Sequence, residues 1–421
     1  MSILFKGSFV TLNYVNENVF LGGVEMILLK AKKVITGDGK TIIEDGGVVF
    51  ENDTIKAVGK AEKISAEFPQ AEIRDYGNGT ILPGLMDAHI HLGYYWTQPD
   101  LHRYNDFMIA YYAQKQAETC LAKGVTTIRD CCGPQFLLET LRLAAEKGFV
   151  KAPRILHTDR GICITGGHGH EDGIEEVDGV ENIRHTIRRQ KKDGADWIKL
   201  LTTNRDDICE FTQEELNAGV AEAHRLGLKC VVHSGTQPGI QMCIDAGFDT
   251  IEHGNFLTVE QAKQMVKNHQ SWTPTMFAYH FLAEYNQKVQ EVGIDHSNQS
   301  TETYSHHLDF FESSVQAYSE NFKAIYDEGV TILAGTDMVM LEAPSVPIVE
   351  ELELMVRYGL SPIEAIQTAT QNPAKIFDLS HLTGELKSGL QADILVVTGD
   401  AASDIEALRN VQQVYLAGTE V

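Results

Sequence analysis

Four histidines, a lysine and an aspartate stand where their side chains could do metal chemistry. His89 and His91 lie two apart in LMDAHIHLG (85–93). In an extended chain, residues i and i+2 share a face, so the two imidazoles form a two-point grip for a metal ion. Lys199 interrupts the apolar run WIKLL (197–201), His233 lies in CVVHS (230–234), His253 in TIEHG (250–254), and Asp337 closes TILAGTD (331–337). Imidazole and carboxylate are ligands for divalent metals, zinc above all, with manganese, iron and cobalt as alternatives. Each residue alone is ordinary. A lone strand histidine is more often a core or surface residue, an HxH pair recurs by chance, an aspartate after Gly-Thr commonly caps a turn, and a buried lysine is costly unless paired. The weight comes from all six falling at strand-like runs of one pattern.

That pattern predicts the elements that must hold them. Between about 83 and 374, short apolar runs alternate with helical periodicity, the signature of parallel βα units. Eight candidate strands emerge: 85–93, 125–130, 154–158, 197–201, 230–234, 250–254, 271–275 and 331–337. Eight strands with intervening helices over roughly 290 residues is the size of a (β/α)8 barrel, in which residues at C-terminal strand ends converge on one mouth. FTQEELNAGVAEAHRLG (211–227) reads as a helix with Thr212 as N-cap, Glu215 as its capping-box partner and Gly227 as the stop. Residues 301–328 read as one long helix, and 277–300 as a cover over the mouth. Both chain ends are rich in short β patterns, with reversals at Gly37-Asp38-Gly39 and Asn52-Asp53. The expected fold is therefore α/β: a (β/α)8 TIM barrel over 83–374, with a small β-sandwich domain built from residues 1–82 and 375–421. Residues 1–25 fit an added strand, an oligomer contact or a mis-assigned start equally well.

Composition narrows the partners. Lys and Arg number 35 against 59 Asp and Glu, a net charge of −24 with histidine neutral, and 43% of residues are hydrophobic. This sustains a large core and argues against a phosphate-backbone partner, which needs clustered cations. No apolar run approaches a membrane span, and no secretory leader pattern opens the chain. Seven cysteines without a CxxC pair suit free, mostly buried thiols and a reducing cytoplasm.

With these motifs the chain resembles the amidohydrolase superfamily, in its binuclear-metal branch. The resemblance rests on ILPGLMDAHIHLG (81–93), AGTD (334–337), QNPAKIFDL (371–379) and TGELKSGLQADILVV (383–397), and covers nearly the whole chain. TGGHGH (165–170), DWIKLL (196–201) and IEHG (251–254) most resemble the group of Xaa-Pro dipeptidases, imidazolonepropionase-like proteins and metal-dependent carboxypeptidases. The resemblance implies that His89 and His91, with Asp337 alongside, bind one metal and that His233 and His253 bind a second. It implies that N-carboxylated Lys199 bridges the two; an ammonium has no acceptor and cannot ligate unmodified, whereas a carbamate can. The implied reaction is cleavage of an amide C–N bond in a small molecule, a dipeptide or N-acyl amino acid. A hydroxide bridging the metals attacks, and Asp337 relays the proton to the leaving amine.

Further contacts follow from loop positions. His168 and His170, in the Gly-rich GGHGH loop, are placed to donate to an oxyanion or carboxylate. Arg205 on the next loop is placed to bind a substrate carboxylate, and Tyr279 with His280 to touch substrate. Relatives of this group often carry a histidine or an acidic residue two positions after the fifth-strand ligand; here the run is His233-Ser234-Gly235, so a particular dipeptide specificity does not carry over. A cyclic amide hydrolase or deaminase is the alternative, opposed by Lys199, which one-metal types usually lack. A non-catalytic scaffold is a second alternative, opposed by the complete ligand set. Relatives commonly assemble, which implies a homo-oligomer.

Overall fold

The computed structural model describes residues 26–93, 105–170, 174–203, 209–292, 301–337 and 346–421. Residues 1–25 and the last part of the expected cover, 293–300, lie outside them. The chain opens with β1 (Met26–Ile35), β2 (Ile42–Glu51) and β3 (Thr54–Lys60), an antiparallel meander. At the first reversal the Asp38 carboxylate accepts from the backbone N–H groups of Lys40 (2.9 Å) and Thr41 (2.7 Å). At the second, Asn52 adopts a positive φ, as asparagine tolerates. After β4 (Glu72–Asp75) and β5 (Thr80–Pro83) the chain leaves this sheet. It returns at the far end as β16 (Ile394–Val397), β17 (Val411–Leu416) and β18 (Thr419–Glu420). The order is β18-β17-β16-β5-β1-β2-β3, with β4 beside β1, so both ends of the described chain share one sheet.

Gly84 is the hinge between this sheet and the next. A Cβ there would stand 2.2 Å from Thr126 Oγ1, so only glycine lets β5 run straight into β6 (Leu85–Ile90). β6 pairs in parallel with β7 (Val125–Asp130), and β7 with β8 (Arg154–His157). A second parallel sheet holds β9 (Ile162–Cys163), β10 (Glu175–Glu176), β11 (Trp197–Leu201), β12 (Lys229–Ser234), β13 (Thr250–His253), β14 (Ser271–Thr273) and β15 (Thr331–Ile332). Backbone bonds link the two sheets at two places. Ala88 N donates to Ala334 O (2.8 Å) and Asp337 N to His89 O (2.7 Å) on one side; Asp196 N donates to His157 O (2.9 Å) on the other.

All eight expected strands are present, several shorter than the sequence suggests. β13 and β14 stop early because His253 and Thr275 adopt left-handed φ values of 62° and 49°. β15 is two residues long rather than seven. Beyond it Leu333 N turns to Trp272 O, Ala334 N to Thr368 O, and Asp337 has φ 47°. The helices after the strands carry the expected signals. Gln213–Arg225 has the full Thr212/Glu215 capping box, and Gly227 follows with φ 73°. Thr301–Asp327 is a single helix of 27 residues. Residues 276–292 form another, whose Tyr279 and Ala283 are buried.

Strand alternation decides which residues face which layer. In β11, Ile198 and Leu200 join the large apolar cluster shared with the helices, while Trp197 and Leu201 belong to separate interior clusters. Lys199 lies on the Trp197 face, away from the helices. β12 repeats the pattern, with Cys230 and Val232 in the helix-side cluster and Val231 on the other face, the face His233 shares. Six cysteines are buried, Cys209 is half-buried, and all seven are free. Among the described residues no helix is long and apolar enough to cross a membrane.

Candidate metal centre

His89 on β6 and His91, the residue just past its end, turn both Nε2 atoms to one point. These nitrogens are 3.3 Å apart, and Asp337 Oδ1 stands 3.3 Å from the first and 3.2 Å from the second. The outward nitrogens are tied down. His89 Nδ1 is 2.6 Å from Glu252 Oε2, and His91 Nδ1 is 3.0 Å from the Cys132 carbonyl. A carbonyl can only accept, so His91 carries its proton on Nδ1; Glu252 imposes the same tautomer on His89. Both Nε2 atoms therefore face the carboxylate, where each can carry a proton or ligate a cation. His89, His91 and Asp337 offer ligand atoms within 4.8 Å of one another, as do His89, Cys131 and Glu252.

The remaining histidines extend the cluster. The His253 ring lies 5.0 Å from that of His89 and 4.5 Å from that of His233, and His168 stacks on His233 at 4.1 Å. His253 Nδ1 is 2.7 Å from Thr275 Oγ1 and 3.8 Å from Asp337 Oδ2. The left-handed backbone at His253 breaks the pleat, which lets His253 and its neighbour Glu252 both reach the interior. Lys199 is 1% exposed, and its ammonium lies close enough to His89, His233 and His253 to act on all three. An amine buried in that state is costly, and a chemical change that gives it anionic oxygens among imidazoles removes the penalty.

The charges sort into two groups. Burial alone would lower the pKa of His89 and His91. Cys131 and Asp337 outweigh it at His89, raising its pKa to about 10, and Cys132 and Asp337 raise that of His91. Asp337 is held well below the usual carboxylate range, against its burial, by His89, His91 and His253. An ionised carboxylate between two ring nitrogens thus demands positive charge, which protons or a divalent cation can supply. Burial, reinforced by His168, His253 and Lys199, keeps His233 well below the ordinary imidazole range; burial does the same for His253. Neutral imidazole is the ligating form. On both counts the donor set fits metal ions.

Several residues behind the cluster carry no motif of their own. Arg129 is fully buried, donates to both Glu252 oxygens at 3.0 Å and to Ala88 O at 2.7 Å, and lies 4.6 Å from the Trp197 ring centre. Thr250 Oγ1 donates to Glu252 at 2.6 Å. Burial pushes the Glu252 carboxyl up, but Arg129 and His89 hold it well below the carboxylate range. Asp87 accepts from Thr336 Oγ1 (2.6 Å), Thr336 N and His89 N, which locks the chain before Asp337 onto β6. Asp130 accepts from Leu92 N (2.7 Å) and Cys132 N. The available signal was a charged residue inside an apolar run, in LMDAH, TIRD and TIEH, which burial permits only with partners.

The expected substrate contacts divide. Tyr279 is buried with its ring 5.6 Å from that of His253, and His168 lies against His233. His170 is exposed and turns Nδ1 to the Gly167 carbonyl of its own loop at 2.8 Å. His280 faces Tyr358 Oη at 2.7 Å instead of the cluster. Arg205 lies outside the described residues.

The amidohydrolase family model matches residues 80–421, so the chain belongs to the amidohydrolase family and is a hydrolase acting on carbon–nitrogen bonds. Such proteins generally bind divalent metals, and the His and Asp groups here are able to do so. The chain is similar to an ochratoxinase of Aspergillus niger, 26% identical over 433 residues, covering 93% of this chain and 85% of the relative. It is also similar to an imidazolonepropionase of Geobacillus kaustophilus, 23% identical over 400 residues and 84% of each chain. Among solved structures, a Xaa-Pro dipeptidase with methionine bound in its active site superimposes with a TM-score of 0.82 at 28% identity, covering 94% of this chain and 100% of the other.

Proposed function

We propose that this chain hydrolyses an amide C–N bond of a small molecule, a dipeptide or an N-acyl amino acid, at a centre of two divalent metals, zinc by preference. The observation that carries the reading is the convergence of His89 Nε2, His91 Nε2 and Asp337 Oδ1 on one point, each imidazole braced from behind. In this reading His89, His91 and Asp337 hold one ion, His233 and His253 the other, and N-carboxylated Lys199 joins them. When bound, such ions lower the pKa of water and polarise a carbonyl. The protein's own part is proton handling and positioning. Asp337, held ionised, takes a proton at Oδ2 and returns it to the departing amine, while His168 is placed to donate to the developing negative charge. A closed (β/α)8 barrel over 83–374 and a sandwich completed by 1–82 and 375–421 belong to the same reading.

Similarity to the methionine-bound Xaa-Pro dipeptidase supports an amino-acid-containing substrate. Similarity to an imidazolonepropionase favours a second reading, hydrolysis of a cyclic amide; Lys199, buried beside the imidazoles, favours the first. The test is metal analysis joined to a screen of metal-loaded protein against dipeptides, N-acyl amino acids and lactams. Two metals per chain and turnover of linear amides are expected, and turnover of lactams alone would select the second reading. Lys199→Ala should lose bound metal and at least about 100-fold in rate together; retention of two metals per chain would refute the bridging role.

A further inference from the structure

Two residues beyond His253, the side chain of Asn255 is 2% exposed, yet neither its Oδ1 nor its Nδ2 has a hydrogen-bond partner among the described residues. Buried side-chain amides are nearly always paired, and a leucine of similar shape would fill the space without leaving polar atoms unpaired. The position therefore works against folding unless something else meets the amide. Its surroundings say where that something would be. A Cβ at Gly235 would stand 2.8 Å from Asn255 Oδ1 and 3.0 Å from Phe310 Cζ, so the amide occupies ground that any side chain two residues after His233 would take. The Tyr279 hydroxyl feels the Asn255 amide without making a well-formed hydrogen bond to it, and the Tyr279 ring contacts those of His253 (5.6 Å) and Phe310 (6.2 Å). Asn255 thus sits beside the metal-centre ends of β12 and β13, against an aromatic wall of Tyr279, Phe310 and Phe311.

We propose that Asn255 is a specificity-determining residue whose amide pairs with a neutral carboxamide of the substrate next to the scissile bond, so that N-acylated substrates are preferred to their free-amine counterparts. This rests on the amide-hydrolase reading. A primary amide offers one acceptor and two donors, the complement of the C=O and N–H of an acyl amide. An α-ammonium on the same spot would be desolvated against aromatic rings with a single neutral oxygen to receive it, which is unfavourable for a full charge. Among the described residues the charge acting on this wall is that of Asp337, which belongs to the metal cluster.

The experiment compares N-acetyl-Ala-Phe with Ala-Phe on metal-loaded wild type, Asn255→Leu and Asn255→Asp. Wild type should prefer the acetylated peptide by at least about tenfold in kcat/KM. Asn255→Leu should lose that preference, through KM more than kcat, while keeping its metal and a Tm equal to or above wild type. Asn255→Asp, which presents a carboxylate, should shift preference toward the free amine. A preference that survives in both variants, a loss shared equally by both peptides, or loss of metal overturns the inference. If wild type hydrolyses neither peptide, the amide-hydrolase reading for these substrates fails by itself. The inference is then decided by the Tm shift that N-acetyl-Ala-Phe causes: present in wild type and absent in Asn255→Leu supports it, equal shifts overturn it.

Discussion

At His89 one ring nitrogen donates to Glu252 and the other points at Asp337 Oδ1, and Arg129 beneath holds Glu252 ionised. The cluster is thus built from the inside outward: a buried guanidinium fixes a carboxylate, the carboxylate fixes a tautomer, and the tautomer fixes the lone pair that can ligate. Removing the middle of that chain should be felt at both ends. Glu252→Gln leaves Arg129 buried without its counter-charge, which costs about 3 kcal/mol, and weakens metal binding by roughly 10- to 100-fold because His89 loses its anchor. Thermal melts and metal titration read the two effects separately. A variant that keeps wild-type metal affinity would show that Glu252 serves stability alone. Of these residues His89 and Asp337 could be read from strand position. Glu252 and Arg129 could not be given roles, because their partners lie 163 and 123 residues away along the chain.

The helix that presents Tyr279 to the cluster shows how an element is coupled to pH. Residues 276–292 begin with the N–H groups of Met276 and Phe277 donating to the buried Glu351 carboxylate at 3.1 and 2.7 Å. Burial pushes the Glu351 carboxyl up to about 8, and the two backbone donors only partly oppose it. Its folded pKa exceeds the unfolded value near 4.5, so the native state holds the proton more tightly. The contribution is fully present below about 4.5 and is lost as pH rises toward 8. Glu351→Gln does not titrate but offers one acceptor oxygen where the carboxyl group has two, a loss that is the same at every pH. Its stability relative to wild type should therefore increase between pH 5 and pH 8, by on the order of 4 kcal/mol at most. Parallel Tm–pH curves for the two proteins would show that Glu351 does not titrate in this window. The helix itself was partly hidden in the sequence, where residues 277–300 read as a cover without a stated element; its helical form over 276–292 goes with the packing of Tyr279 and Ala283 into the core.

At the scale of the molecule, an ion pair between a buried aspartate and a largely buried arginine ties the terminal sheet to the parallel sheets. Arg154 on β8 donates to Asp393 Oδ2 at 3.0 Å, to Thr127 Oγ1 at 2.7 Å and to Gln391 at 2.5 Å, and Asp393 also accepts from Ala417 N at 2.8 Å. Asp393 is fully buried and Arg154 one-fifth exposed. Asp393→Ala should destabilise the protein by about 2–3 kcal/mol, part of the charge on Arg154 still reaching water. It should also split unfolding by denaturant into two transitions if the pair carries the coupling between the sheets. A single transition at the wild-type midpoint would show that the run of β5 into β6 at Gly84 is sufficient. The joining of both chain ends in one sheet was legible from their β-rich composition; the Arg154–Asp393 clamp was not, since nothing local distinguishes it from surface charge.

What the amino-acid sequence alone determined is what depends on local periodicity: eight strand runs, the capped helix after β11, and which of those runs carry His89, His91, Lys199, His233, His253 and Asp337. Alternation with period two is imposed by the backbone, so a residue's face follows from its position in the run. Tertiary structure decided what depends on distance through space. It ended β13, β14 and β15 early with left-handed residues, turned His280 to Tyr358, and set Arg129 under Glu252. It also left the Asn255 amide unpaired beside Gly235. A buried charge or amide takes its meaning from the partner it meets, and that partner is chosen only when the strands assemble.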